Sequence, residues 1–234
     1  MSISPSVIQE VFPESHTATD AFIRDGMSPI ELKKLAELIR THHPTDVLEI
    51  GMANGTSSIV MADTLRSWNG RLTSIDPHQT LPSPTGYESA GVHAVAKILP
   101  HHRLIEEYDY LALSRLVEAR EQFDCILIDG FHSFDLTLLD LFYADKLLAP
   151  GGLLLCHDSS SPAVYKALRW LETNKPYDRL SPPLYTGAWS IGRKIAYRLL
   201  HGAERKMRQM EWHMLAAYQK QSAHTMPEHV LTEF

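Results

Sequence analysis

Short apolar blocks and longer amphipathic stripes take turns along most of this chain. The runs DVLEIG, RLTSID, RLIEE, FDCILID and GLLLCH are rich in β-branched and apolar residues and predict strands. Between them, TSSIVMADTLRSWN, a segment from about Ala90 to Leu99, YLALSRLVEAR and DLTLLDLFYADKLL carry the three-to-four spacing of helices. Strand and helix in turn imply a parallel sheet with helices on both faces. The cores CILI and LLLC are apolar without alternation, which suits central strands covered on both sides.

Ahead of the first strand, SPIELKKLAELIR opens with Ser28, has Pro29 at the first helical position and places Glu31 three residues after the serine. That is a capping box leading into an amphipathic helix. After the last strong strand, PAVYKALRWLETN predicts a helix, and YDRL and GAWSIGRK predict two edge strands. The expected fold is therefore α/β: a doubly wound, mostly parallel seven-stranded sheet preceded by a helical segment. From Lys194 to about Lys220 the residues Ile195, Leu199, Ala203, Met207, Met210 and Met214 recur at helical spacing. They predict a helical extension over 193–234 beyond a domain of 1–192, its stripe packed on the domain or on a sister subunit in a homodimer. Its basic residues Arg193, Lys194, Arg198, Arg205, Lys206 and Arg208 would suit an anionic partner, and Gly202 would break or kink it.

Composition narrows the class without changing the fold. With 234 residues, 44% hydrophobic and 21% charged, the chain can bury a sizeable core. The net charge of −6 argues against broad attraction to nucleic acid or an anionic membrane. No run approaches the roughly 20 apolar residues of a membrane span, and the N-terminus lacks the basic start and apolar stretch of a signal peptide. The expectation is a cytoplasmic protein acting on small molecules. Cys125 and Cys156 lie at different heights if their strands are neighbours, so they read as reduced core residues.

The first candidate site is the segment EIGMANGTS between the first strand and the next helix. Small residues at Gly51, Ala53 and Gly55 admit a close backbone approach, and a helix start favours a carboxylate or phosphate. Asp76 ends the second strand, where an acidic side chain accepts hydrogen bonds from ribose hydroxyls. Loop and acid together indicate an adenine-nucleoside ligand. A dinucleotide fingerprint would need glycines where Ala53 and Thr56 stand, which weakens an NAD-dependent oxidoreductase as the alternative. The second candidate site is the pair of strand ends IDGFH and CHDSS. On adjacent parallel strands, Asp129, His132, His157 and Asp158 would converge, and charged groups so placed need solvent, partners or a cation.

These motifs resemble class I S-adenosylmethionine-dependent methyltransferases, a Rossmann-like fold. The pattern IDGxHxxxxxxxDxxxxxxLLxPGGxxxxHD is similar to the sugar/antibiotic and catechol-type O-methyltransferase branch, over about residues 45–160. The resemblance implies that Glu49, Gly51, Asn54, Gly55 and Ser57 line the methionine end of S-adenosyl-L-methionine, with Asp76 on the ribose. It implies that Tyr108 and Asp109 border adenine, and that Asp129 touches both cofactor and reaction centre. It also implies a divalent cation, magnesium or manganese, on Asp129, His157 and Asp158. A histidine stands here where many relatives have a carboxylate, and imidazole suits manganese, iron or zinc better than magnesium. The alternative is that His157 orients Asp158 or substrate, or that Asp158 caps the helix starting near Pro162. His132 would take the proton of a hydroxylated small-molecule acceptor, with Asp129 and Asp158 completing the catalytic group. A non-catalytic protein binding the same cofactor is the remaining alternative. The segment DPHQTLPSPTGYESAGVH is long enough to serve as a substrate lid.

Overall fold

A computed structural model of the chain describes residues 27, 29–80, 90–180 and 215–223, apart from the side chains of 29, 30 and 90. In chain order the described elements are α1 (Pro29–His42), β1 (Asp46–Ile50), α2 (Thr56–Leu65), β2 (Arg71–Ile75), α3 (Ala90–Ile98), β3 (Arg103–Ile105) and α4 (Asp109–Glu118). They continue with β4 (Phe123–Ile128), α5 (Phe134–Leu147), β5 (Leu148–Cys156), α6 (Pro162–Asn174), β6 (Tyr177–Arg179) and β7 (Ala216–Lys220). A short 3-10 turn, Arg66–Trp68, ends α2 before Gly70.

The seven strands form one sheet in the order β3-β2-β1-β4-β5-β7-β6. Every pairing from β3 to β5 is parallel, and β7 runs antiparallel to both β5 and β6. Winding reverses between β1 and β4, the switch point beyond whose carboxyl ends an open α/β sheet holds its ligands. Strand periodicity sorts the core into two layers. Val47, Cys125, Leu127, Leu153 and Leu155 pack with α1, α2 and α3 residues such as Leu35, Ile39, Met61 and Val95. Leu48, Ile50, Ile126, Ile128 and Leu154 face α4, α5 and α6 through Leu113, Leu141 and Leu168. The unalternated apolar runs are thus strands covered on both faces. Cys125 pairs in register with Leu153, and Cys156 with Ile128, so the two free buried thiols sit at separate heights.

The C-terminal expectation requires correction. Residues 216–220 are a strand, not the end of a helix, and they belong to the sheet, so the sheet extends past a domain boundary at 192. The reason is tertiary: β5 offers an outer edge, and Ala216, Ala217 and Tyr218 fill it with both faces buried. Lys220, also buried, places Nζ 2.8 Å from the carbonyl oxygen of Leu148 and bonds the carbonyl of Asp145, closing the carbonyl end of α5. Such docking overrides a helical spacing in sequence. The rest of that stripe and its basic face, GAWSIGRK, Ser28 of the capping box and most of the lid segment lie outside the described residues.

Candidate active site

At the switch point, the chain leaving β1 turns at Gly51 (φ 88°), and a Cβ there would lie 2.3 Å from the carbonyl oxygen of Asp129. Only glycine lets the β1 and β4 ends approach so closely. The loop closes at Gly55 (φ 78°), the residue before α2, where a Cβ would meet Gly91 of α3 at 2.6 Å. Asn54 and Gly55 therefore press their backbone against the start of α3.

Two carboxylates hold this loop from beneath and beside it. Asp76 Oδ2 accepts the N–H groups of Met52 (3.0 Å) and Ala53 (2.8 Å), and Oδ1 accepts that of His78 (2.8 Å). Gln79, read only as part of a loop in the sequence, donates from Nε2 to the carbonyl of Ala53 (2.7 Å). Glu49 is fully buried on the α2 side of β1. Hydroxyls of Ser57, Ser58 and Ser74 all donate to it at 2.6 Å. Burial outweighs those three bonds and pushes its carboxyl up to about 7. The side chains of Glu49 and Ser57, expected along the cofactor, are turned inward and bonded to each other, so they also support the loop from within.

Beyond β3, Tyr108 is exposed and stacks on Tyr110 with ring centroids 5.4 Å apart, while His78 meets it edge-on at 6.0 Å. Asp109 opens α4, is largely buried, and accepts its neighbour's Tyr110 N–H at 2.7 Å. Desolvation raises its carboxyl above the usual range.

The ends of β4 and β5 bring the second candidate group together. Asp129 N–H bonds the carbonyl of Ile50 and His157 N–H bonds that of Ile128, so the ladder itself sets the spacing. His157 Nδ1 lies 2.8 Å from Asp129 Oδ1, and His132 Nε2 lies 3.0 Å from Asp158 Oδ2 and 3.7 Å from Asp129 Oδ1. Asp158 adopts a left-handed backbone (φ 48°), an uncommon conformation for aspartate. Its carbonyl accepts the Ser161 N–H, and Ser161 rather than Asp158 is the residue that precedes α6.

Charge balances geometry here. Burial alone would expel the proton from His157, but Asp129, Glu31 and Asp158 outweigh it and hold the imidazole well above its ordinary range. Burial would likewise push Asp129 up, yet His157 and His132 keep it below the usual carboxylate range. Asp129 foremost, and Asp158 behind it, raise His132 against the opposing effect of burial. Glu31, the acid of the expected capping box, stands with Oε1 3.4 Å from His157 Nε2. Sequence gave no sign of this, because nothing local says that the first turn of α1 faces the end of β5.

One ligand atom each from Asp129, His132 and His157 lies within 4.8 Å of the others, a grouping compatible with a metal ion. It differs from the set implied by resemblance in that His132 joins Asp129 and His157, while Asp158 stands beside His132. Two imidazoles with a carboxylate suit manganese, iron or zinc.

Residues 48–159 match a family model described as a methyltransferase domain. No curated protein matches the chain by sequence. By structure the chain is similar to an O-methyltransferase from Bacillus cereus solved with SAH (S-adenosylhomocysteine), at TM-score 0.60 and 18% identity, over 74% of this chain and 82% of that one. It is also similar to the SAH-bound methyltransferase PaMTH1 of Podospora anserina, at TM-score 0.61 and 16% identity, over 95% and 90% of the two chains. A third is the O-methyltransferase TomG from Streptomyces achromogenes, involved in tomaymycin synthesis and solved with SAM, at TM-score 0.57 and 16% identity, over 92% and 94%. At such identities the likeness establishes the fold. Among the described residues no helix is long and apolar enough to cross a membrane.

Proposed function

We propose, from the premise that residues 48–159 form a class I S-adenosylmethionine-dependent methyltransferase domain, that the protein is an O-methyltransferase acting on a hydroxylated small molecule such as a sugar, phenol or secondary metabolite. The observation that carries this reading is the convergence of Asp129, His132, His157 and Asp158 beside the Gly51 loop. The three solved relatives, two of them described as O-methyltransferases and all holding SAM or SAH, support it.

The donor supplies an activated methyl on a sulfonium sulfur, so the chain's task is positioning and proton management. Holding a hydroxyl in line with that carbon can contribute about 7–11 kcal/mol. The loop from Gly51 to Gly55, braced by Asp76, offers backbone for the methionine and ribose parts, and the Tyr108–Tyr110 stack offers a flat surface for adenine. Three carboxylates, Glu31, Asp129 and Asp158, face two imidazoles, which leaves an acidic surplus suited to a sulfonium. As the acceptor oxygen bonds the methyl carbon and the carbon–sulfur bond breaks, the hydroxyl proton passes to His132 Nε2. There Asp158 stabilises the resulting imidazolium.

The same group also fits a borderline divalent ion, which Asp129, His132 and His157 would hold; His132 would then be a ligand rather than the base, and the ion would take over its part in activating the hydroxyl. Bound there, such an ion would lower the pKa of an acceptor hydroxyl.

The test is methyl transfer from S-adenosylmethionine across a panel of sugars, phenols and catechols, with products identified by mass and by the methylated atom. An oxygen-methylated product from the wild type that is lost on chelation and restored by manganese supports both the reaction and the cation. A product methylated on nitrogen or sulfur, or donor binding without turnover across the panel, would overturn the assignment.

A further inference from the structure

Glu31 belongs to α1, outside the matched domain, and its neighbours Leu32, Leu35 and Ile39 fix that helix against the sheet. An acidic side chain in a first helical turn commonly serves the helix alone. Here it is buried, and its Oε1 faces His157 Nε2 at an ion-pair distance of 3.4 Å. The other ring nitrogen, Nδ1, faces Asp129 Oδ1 at 2.8 Å. The ring thus spans from α1 to the reaction centre. Both ring nitrogens therefore face carboxylate oxygens, which at neutral pH favour a protonated nitrogen on each side.

We propose that Glu31 is the positioning residue of this site: it fixes the direction of the His157 ring, so that Nδ1 is presented to Asp129. The inference rests on the reading of that cluster as the methyl-transfer site, and it adds the N-terminal helix as a working part of it. Imidazoles at reaction centres and metal sites gain their orientation from a carboxylate on the remote nitrogen in this way. Without Glu31, Nε2 would lose the carboxylate that faces it from α1, and the ring would be free to turn away from Asp129.

The experiment compares wild type, Glu31→Ala and Glu31→Gln in the full-length protein. Three readouts are taken: S-adenosylmethionine affinity, kcat at saturating donor, and the nitrogen-15 imidazole spectrum of His157, assigned with a His157→Gln variant. Glu31→Ala should keep donor affinity within about threefold and lower kcat about 10–100-fold, the range for loss of such an outer partner. The Nε2–H signal of His157 should shift or disappear. Glu31→Gln retains an acceptor oxygen and should recover part of both kcat and the signal. Manganese affinity, read by electron paramagnetic resonance, should fall in the same order.

A His157 spectrum unchanged in Glu31→Ala would overturn the proposal, as would a loss of donor affinity equal to the loss of kcat in both variants. If Glu31→Ala does not fold, the Gln variant decides on the same readouts. A wild type that transfers no methyl group, yet shifts or loses the Nε2–H signal in Glu31→Ala, would sink the functional reading and leave the role of Glu31 standing.

Discussion

Acidic residues stand at the carboxyl ends of β1 and β2 and again at those of β4 and beyond β5, but their partners differ in kind. Glu49 and Asp76 are saturated by serine hydroxyls and backbone N–H groups. Asp129 and Asp158 are met by imidazoles. Several hydroxyl or backbone donors at once fix a carboxylate in place, which makes a rigid seat for a ligand. Imidazoles can give and take a proton near physiological pH, which makes a place for chemistry. On the proposed reading, the carboxyl end of the sheet carries a binding half and a reacting half, and the close approach of Gly51 to Asp129 is where they join.

The difference can be broken from either side. Asp158→Ala should have the largest effect: kcat falls about 10²–10⁴-fold, the usual contribution of proton transfer, while donor affinity measured by calorimetry stays within about threefold. Asp76→Ala should do the converse. It removes acceptors for two loop N–H groups, so donor affinity should weaken by about 1.5–3 kcal/mol, or about 10–100-fold, with kcat at saturation largely kept.

Proton linkage sharpens the contrast. The Glu49 carboxyl is raised by burial from 4.5 to about 7. Its contribution to stability is therefore fully present below about pH 4.5 and is lost as pH rises through about 7. Glu49→Gln should match wild type near pH 4 in urea unfolding and exceed it by roughly 3 kcal/mol at pH 8, following the value of one pKa unit. Asp140, on α5, supplies a third kind of acid. It is fully buried, and neither oxygen has a hydrogen-bond partner among the described residues. Burial and then nearby Asp109 raise it well above the ordinary value. Asp140→Asn should leave stability at pH 4 nearly unchanged and raise it at pH 8, checked in the same urea series.

What sequence made legible was whatever local pattern encodes. The strand runs, the helices between them and the glycine turn at Gly51 each rest on periodicity or backbone permission within a few residues. The convergence at Asp129 and His157 was also readable, because parallel neighbours bring equivalent ends together. Three features depended on contacts between remote segments. Ala216–Lys220 took the outer edge of β5 despite a helical spacing. Glu49 proved to be enclosed by three serines, one of them from β2. Glu31 reached His157 from a helix whose local code described only its own cap. The β5 edge and His157 lie dozens of residues from the segments that meet them, and Ser74 lies 25 from Glu49, beyond what propensity or capping can report.

The most direct measurement is the position of the donor's sulfur in a crystal structure of the protein with S-adenosylhomocysteine. The expected result is a thioether lying over the Gly51 loop and facing the space between Asp129, His132 and Asp158, with the ribose beside Asp76. A thioether seated elsewhere on the molecule, or one facing away from those three side chains, would contradict the division into a binding half and a reacting half.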